Sequence, residues 1–149
     1  MLTIRRAAPA DAEALRELYF NHLTSFPPSE EQDMDVWREM LARFAENPLY
    51  CLLVGEEDGA VISSVTLIIT ENLTHNLRPY ALIENVVTHA DFRGRGFATE
   101  LMNRASELAA GRGCYKIMLL TGSKKDSTLK FYENCGYNRD DKTAFIKWL

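Results

Sequence analysis

Basic residues are in short supply here. The chain sets 17 Lys and Arg against 21 Asp and Glu, a net charge of −4 with a pI near 5.4. That balance excludes an extended nucleic-acid surface and confines any anion site to a local cluster. Cysteine is scarce too: Cys51, Cys114 and Cys135 are odd in number, widely spaced and form no CxxC. They read as reduced, buried thiols rather than as a disulfide framework. Three scattered histidines and no cysteine pair supply no metal-ligand set. No apolar run approaches the length of a membrane span, and the start MLTIRRAAPADAEALREL lacks the apolar core of a signal peptide. A cytoplasmic protein with no membrane or nucleic-acid partner is the expectation. With no repeat, linker or low-complexity segment, 149 residues at 46% hydrophobic and 26% charged predict one domain, 1–149, with a substantial core.

What is present alternates between strand and helix patterns. Leu2, Ile4 and Arg6 open a strand that Ala8-Pro9 ends. Leu15, Leu18, Tyr19 and His22 then recur at helical spacing over 11–22, with Asp11 in the first turn. Paired prolines make 24–29 a loop. A second helix carries the stripe Val36, Trp37, Met40, Leu41 and Phe44, read as core, and stops at Asn47-Pro48. Residues 50–54 and 60–70 form a hairpin about the EEDG turn. After the polar loop 71–79 comes a strand over 80–88. The helix from Phe97 shows Leu101, Ala105, Leu108 and Ala109 on one face, and Gly111 or Gly113 ends it. Residues 114–121, CYKIMLLT, are apolar enough for a central strand. Asp126 or Ser127 caps a helix bearing Leu129, Tyr132 and Cys135, with Gly136 as its stop. Residues 143–148 close as a last strand. The order β-α-α-β-β-β-α-β-α-β predicts an α/β mixed sheet with helices on both faces and a parallel crossover from 80–88 to 114–121.

The chemistry concentrates in 84–99, ENVVTHADFRGRGFAT, a strand that runs through a Gly- and Arg-rich turn into a helix. Gly94 and Gly96 permit a sharp turn and close approach of a ligand, and Phe97 opens a helix whose first N–H groups have no partner within it. That helix end favours a phosphate, and Arg93 and Arg95 add charge. The nucleotide P-loop is ruled out because no GK pair with Ser or Thr follows. The dinucleotide fingerprint is a near miss, with Thr99 where Gly or Ala belongs, and it lies too late in the chain for a doubly wound nucleotide fold.

Arg93-x-x-Gly96-x-Ala98 after Glu84-Asn85-Val86-Val87-Thr88 resembles the acetyl-CoA signature of the GNAT family of N-acetyltransferases. The likeness continues through CYKIMLL and LKFYENCGY, covers 80–137, and within the family is greatest to glucosamine 6-phosphate N-acetyltransferase-like members. It implies a GNAT-type acyl-CoA N-acyltransferase fold and acetyl-CoA as acetyl donor, with no metal. Arg93, Arg95, Gly96, Phe97, Ala98 and Thr99 would contact the cofactor pyrophosphate, and Val86, Val87 and Thr88 would offer main-chain contacts to pantetheine beside a bulge. It implies direct attack by a primary amine of a small molecule, an amino sugar being one candidate. Glu84 would be the base or ammonium anchor, and Tyr132 the acid for the departing thiolate. Two alternatives share the fold: a non-catalytic acyl-CoA sensor or interaction module, and a protein-lysine acetyltransferase. A homodimer follows from family habit. The chain departs from the pattern at Asn85, which stands where Asp is expected, and at Lys125, which replaces an asparagine seven residues before the tyrosine. Acceptor choice is expected from 23–33, 71–80 and the end strands.

Overall fold

Strand β3 (Ala60–Thr70) is the spine of the computed structural model, which describes residues 1–24 and 31–149. Its sequence AVISSVTLIIT is apolar or β-branched at most positions, as a strand covered on both faces requires, and residues 62–67 are buried. The five-stranded sheet runs in the order β1 (Thr3–Arg6), β2 (Tyr50–Glu57), β3, β4 (Tyr80–Thr88), β5 (Ile117–Leu119). The pairs from β1 to β4 are antiparallel, and β4 and β5 are parallel.

Helices cover both faces. On one, Val65, Leu67 and Ile69 of β3 meet Leu101, Met102, Ala105 and Ala109 of helix α3 (Phe97–Gly111). Ala105 and Ala109, one turn apart, let the helix lie close to the sheet. Truncating the fully buried Leu101 to Ala would cost about 2–5 kcal/mol. On the opposite face Leu52 and Val54 carry Ala12 and Leu15 of α1 (Ala12–His22) and Leu41 of α2 (Met34–Glu46). Asp33 caps α2, its carboxylate accepting the N–H of Asp35 at 2.8 Å. Helix α4 (Asp126–Asn134) lays Phe131 and Tyr132 against the α3 side.

The mixed α/β class and the element order through α4 match the sequence reading, and the chain departs from it in detail. No strand forms over 143–148. Among the described residues the segment pairs with no strand, and Phe145, Ile146 and Trp148 are 92%, 65% and 85% exposed. The expected central strand 114–121 is therefore a three-residue edge, Ile117–Leu119. Neither Asp126 nor Ser127 caps α4. Lys125 holds that position without a side-chain bond, while its own N–H reaches Ser123 Oγ at 3.3 Å. Asp11, at the start of α1, gives its carboxylate to Arg5 in two bonds of 2.7 and 2.8 Å and makes no side-chain cap on that helix. The loop expected over 24–29 lies, apart from Thr24, outside the described residues.

Candidate active site

The site begins where β4 loses its regular pairing. Ser64 faces Val87 and Thr66 faces Glu84, so three steps along β4 match two along β3. The surplus residue makes a β-bulge, and Asn85 absorbs it with φ +52°. Asn and Asp are the side chains that best tolerate this left-handed region, so Asn85 keeps the backbone property of the aspartate it replaces. The bulge also sorts the side chains. Glu84, opposite Thr66, lies on the α1–α2 face, whereas Val86 packs against the α3 cluster.

On its other edge β4 is paired with β5 only through Ala81, Leu82 and Ile83. From Glu84 onward no strand lies along that edge among the described residues. Two phenols, one on β2 and one on α4, lie within reach of the Glu84 charge. Tyr50 and Tyr132 both sense the charge of Glu84, and burial, the larger cause, pushes both phenols above their usual range. Tyr132 stays protonated through neutral pH, the state a proton donor requires.

The strand then enters the turn. Gly94 and Gly96 stand at φ +75° and +85°, a region closed to most side chains, and a Cβ on either would point into open space. The main-chain N–H groups of residues 94–99 make no hydrogen bond among the described residues, and no side chain caps α3. Glu100 is the first amide bonded in the helix, to Gly96 O at 3.0 Å. A run of unpaired donors at the positive end of a 15-residue helix can hold a phosphate group.

The arginines are less free than their charge suggests. Arg93 donates to Thr88 O and His22 O, both at 3.1 Å, and so clasps the turn to the end of α1. His22 completes that clasp by accepting the Ala90 N–H at 3.2 Å and lying 4.0 Å from the His89 ring. Arg95 pairs with Glu57 at 2.8 Å over the ring of the buried Phe97. Val87 and Thr88 are buried, and the Thr88 hydroxyl has no hydrogen-bond partner among the described residues. Ala98 and Thr99 are half-buried on the first turn of α3. Lys124 and Lys125 are exposed. Among the described residues no helix is long and apolar enough to cross a membrane, and no cluster could hold a metal ion.

The tertiary structure adds residues that sequence reasoning passed over. Trp37, read as core, packs against the core of α1 and β2 and also lines a cavity of about 500 Å³ between α1, α2 and the sheet, with Tyr19, Val36, Met40, Phe44, Tyr50, Thr66 and Asn85 among its other walls. The width of the α2 stripe was the available signal. Of its five apolar residues only Leu41 is buried, and Val36 and Met40 remain 51% and 40% exposed.

A mixed sheet opened between two parallel strands, with its inner strand continuing into a bare helix N-terminus, defines an acetyltransferase fold. The acetyltransferase (GNAT) family model matches residues 13–137, and the chain belongs to that family. It is 28% identical over 142 residues to a glucosamine 6-phosphate N-acetyltransferase of Trypanosoma brucei brucei, covering 95% of this chain and 92% of the relative. A proposed acetyltransferase from Agrobacterium tumefaciens str. C58 matches with a TM-score of 0.87 and 37% identity, covering 98% of this chain and 99% of the other. Glucosamine-6-phosphate N-acetyltransferase from Arabidopsis thaliana shares the fold at a TM-score of 0.85 and 20% identity, over 99% and 98% of the two chains.

Proposed function

We propose that the chain is an acetyl-CoA-dependent N-acetyltransferase acting on a primary amine of a small molecule. The observation that carries this reading is the continuity of two unpaired backbone edges, the β4 edge from Glu84 and the amides of 94–99. One offers main-chain groups to an extended arm and the other offers donors to a pyrophosphate, so the residues present fit acetyl-CoA. Val86, Val87 and Thr88 would hold the arm. Gly96, Phe97, Ala98 and Thr99 would hold the pyrophosphate through N–H groups, with Arg93 and Arg95 adding positive potential from their anchored positions.

When bound, acetyl-CoA supplies an acyl carbon open to attack by a neutral amine. An alkyl ammonium is mostly protonated near pH 7, so a proton must leave first. Glu84 is the carboxylate at the opening and accepts it. An N–H of Val86 or Val87 donates to the acyl oxygen as charge builds there. Tyr132 holds a proton on its phenolic oxygen for the departing sulfur. Cys114 and Cys135 take no part, since burial pushes both thiols up, away from the thiolate a nucleophile needs.

Release of coenzyme A thiol from acetyl-CoA across a panel of amines, alongside direct acetyl-CoA binding, tests the reading. Amine-dependent release supports it. Binding without release from any amine would favour the sensor alternative, and no binding would overturn the site. We also propose a homodimer in a cytoplasmic setting. Its support is the apolar, exposed tail at Phe145, Ile146 and Trp148 together with the open β5 edge. Sedimentation with and without residues 143–149 should show a dimer and a monomer respectively.

A further inference from the structure

The cavity between α1, α2 and the sheet has a chemistry that selects among amines. Its volume, about 500 Å³, falls in the range of roughly 300–1,000 Å³ typical of small-molecule sites. Tyr19, Trp37, Phe44 and Tyr50 supply four aromatic walls, and Val36 and Met40 leave apolar surface uncovered beside them. The polar tips of two of those rings are already engaged within the protein. The Tyr19 hydroxyl lies 3.2 Å from Ser64 Oγ, and Trp37 Nε1 donates to Gln32 Oε1 at 2.8 Å. A ligand in the cavity therefore meets mainly ring faces and aliphatic carbon, with the Tyr50 hydroxyl, Thr66 and Asn85 as its polar wall.

The charge pattern points the same way. No Lys, Arg or His lines the cavity among the described residues, and its one ionisable acid is Asp33. A phosphate would find no cation there and would face that carboxylate, while each sugar hydroxyl would exchange water for ring faces. The inner end is different. Tyr50, Thr66 and Asn85 close it, and Glu84 stands beside Asn85 on the strand, opposite Thr66. An ammonium placed there lies near the Glu84 carboxylate, whose charge Tyr50 senses, while its hydrocarbon body fills the aromatic part.

We propose that the acceptor is a primary amine carried on an apolar aromatic body, an arylalkylamine, and not a phosphorylated amino sugar. This rests on the acetyltransferase reading above, and the tests separate the two. The chain has two tryptophans, so in a Trp148→Phe background the emission of Trp37 reports occupancy of the cavity whether or not turnover occurs. Titration with 2-phenylethylamine should give a saturable change, and glucosamine 6-phosphate none. With acetyl-CoA present, kcat/KM for 2-phenylethylamine should exceed that for glucosamine 6-phosphate by about 10²-fold or more. Trp37→Ala should lower the aryl amine value by roughly tenfold, mainly through KM, and Trp37→Phe should restore most of it. Preference for glucosamine 6-phosphate, or no saturable response to 2-phenylethylamine, overturns the proposal and leaves the acetyltransferase reading in place if thiol release from another amine persists. Saturable binding of the aryl amine without thiol release supports the ligand class of the cavity and overturns its role as acceptor site.

Discussion

At the scale of single residues, Tyr132 and Gly96 carry the sharpest expectations. Tyr132→Phe removes one oxygen from a half-buried ring packed beside Phe131 and Tyr137, so the fold should persist. Turnover should fall about 10²-fold or more with acetyl-CoA affinity nearly unchanged, because a proton donor acts on the leaving group and not on binding. Stopped assays and a binding titration on the same variant check this, and wild-type turnover would remove Tyr132 from the chemistry. Gly96→Asp places a side chain at φ +85° and a negative charge among the unpaired amides. Loss of acetyl-CoA binding by calorimetry is the expected result, and normal affinity would move the cradle elsewhere. The glycine turn before α3 was legible in the sequence because glycine is the residue type a positive φ requires. The anchoring of Arg93 to His22 O was not, since a carbonyl 71 positions away leaves no mark on local sequence.

At the scale of elements, the bulge in β4 decides where Glu84 faces. Only a residue tolerant of φ +52° can sit at Asn85, and its side chain is exposed, so backbone strain can be tested there without disturbing the core. Asn85→Val should destabilise the chain by about 1–3 kcal/mol, while Asn85→Gly should be close to neutral. Denaturant melts of the two variants compare them directly, and equal stability would mean that the bulge is not held at this position. Strand and helix periods in β3, β4 and α3 were readable because both faces of each strand and one face of the helix are committed to the core. The cavity wall on α2 was not readable. An apolar stripe has the same pattern whether a sheet or a ligand covers it, and only the gap left between α2 and β2 distinguishes the two.

At the scale of the whole molecule, a charge cluster ties the start of the chain to the sheet. Arg5 of β1 holds both oxygens of Asp11 and also Glu56 of β2, at 2.9 and 3.0 Å, while Asp11 accepts the Ala8 N–H at 2.7 Å. The Arg5 guanidinium keeps the Asp11 carboxyl below its usual range, outweighing the opposing effect of burial. A carboxyl with a depressed folded pKa contributes stability above its unfolded value, about 3.9, and loses it as pH falls through the folded value. Asp11→Asn should therefore cost about 1–3 kcal/mol near neutral pH, with the gap from wild type closing below about pH 4. Melts across that range check the sign, and a constant gap would place the cost in packing. By itself the sequence determined the element order through α4, the glycine turn that opens α3 and the family, because hydrophobic period, glycine placement and helix ends are local properties. Tertiary structure decided which face Glu84 takes, where the apolar cavity lies and whether 143–148 becomes a strand. Each of these depends on a partner distant in sequence, and a strand or a cavity exists only when that partner is in place.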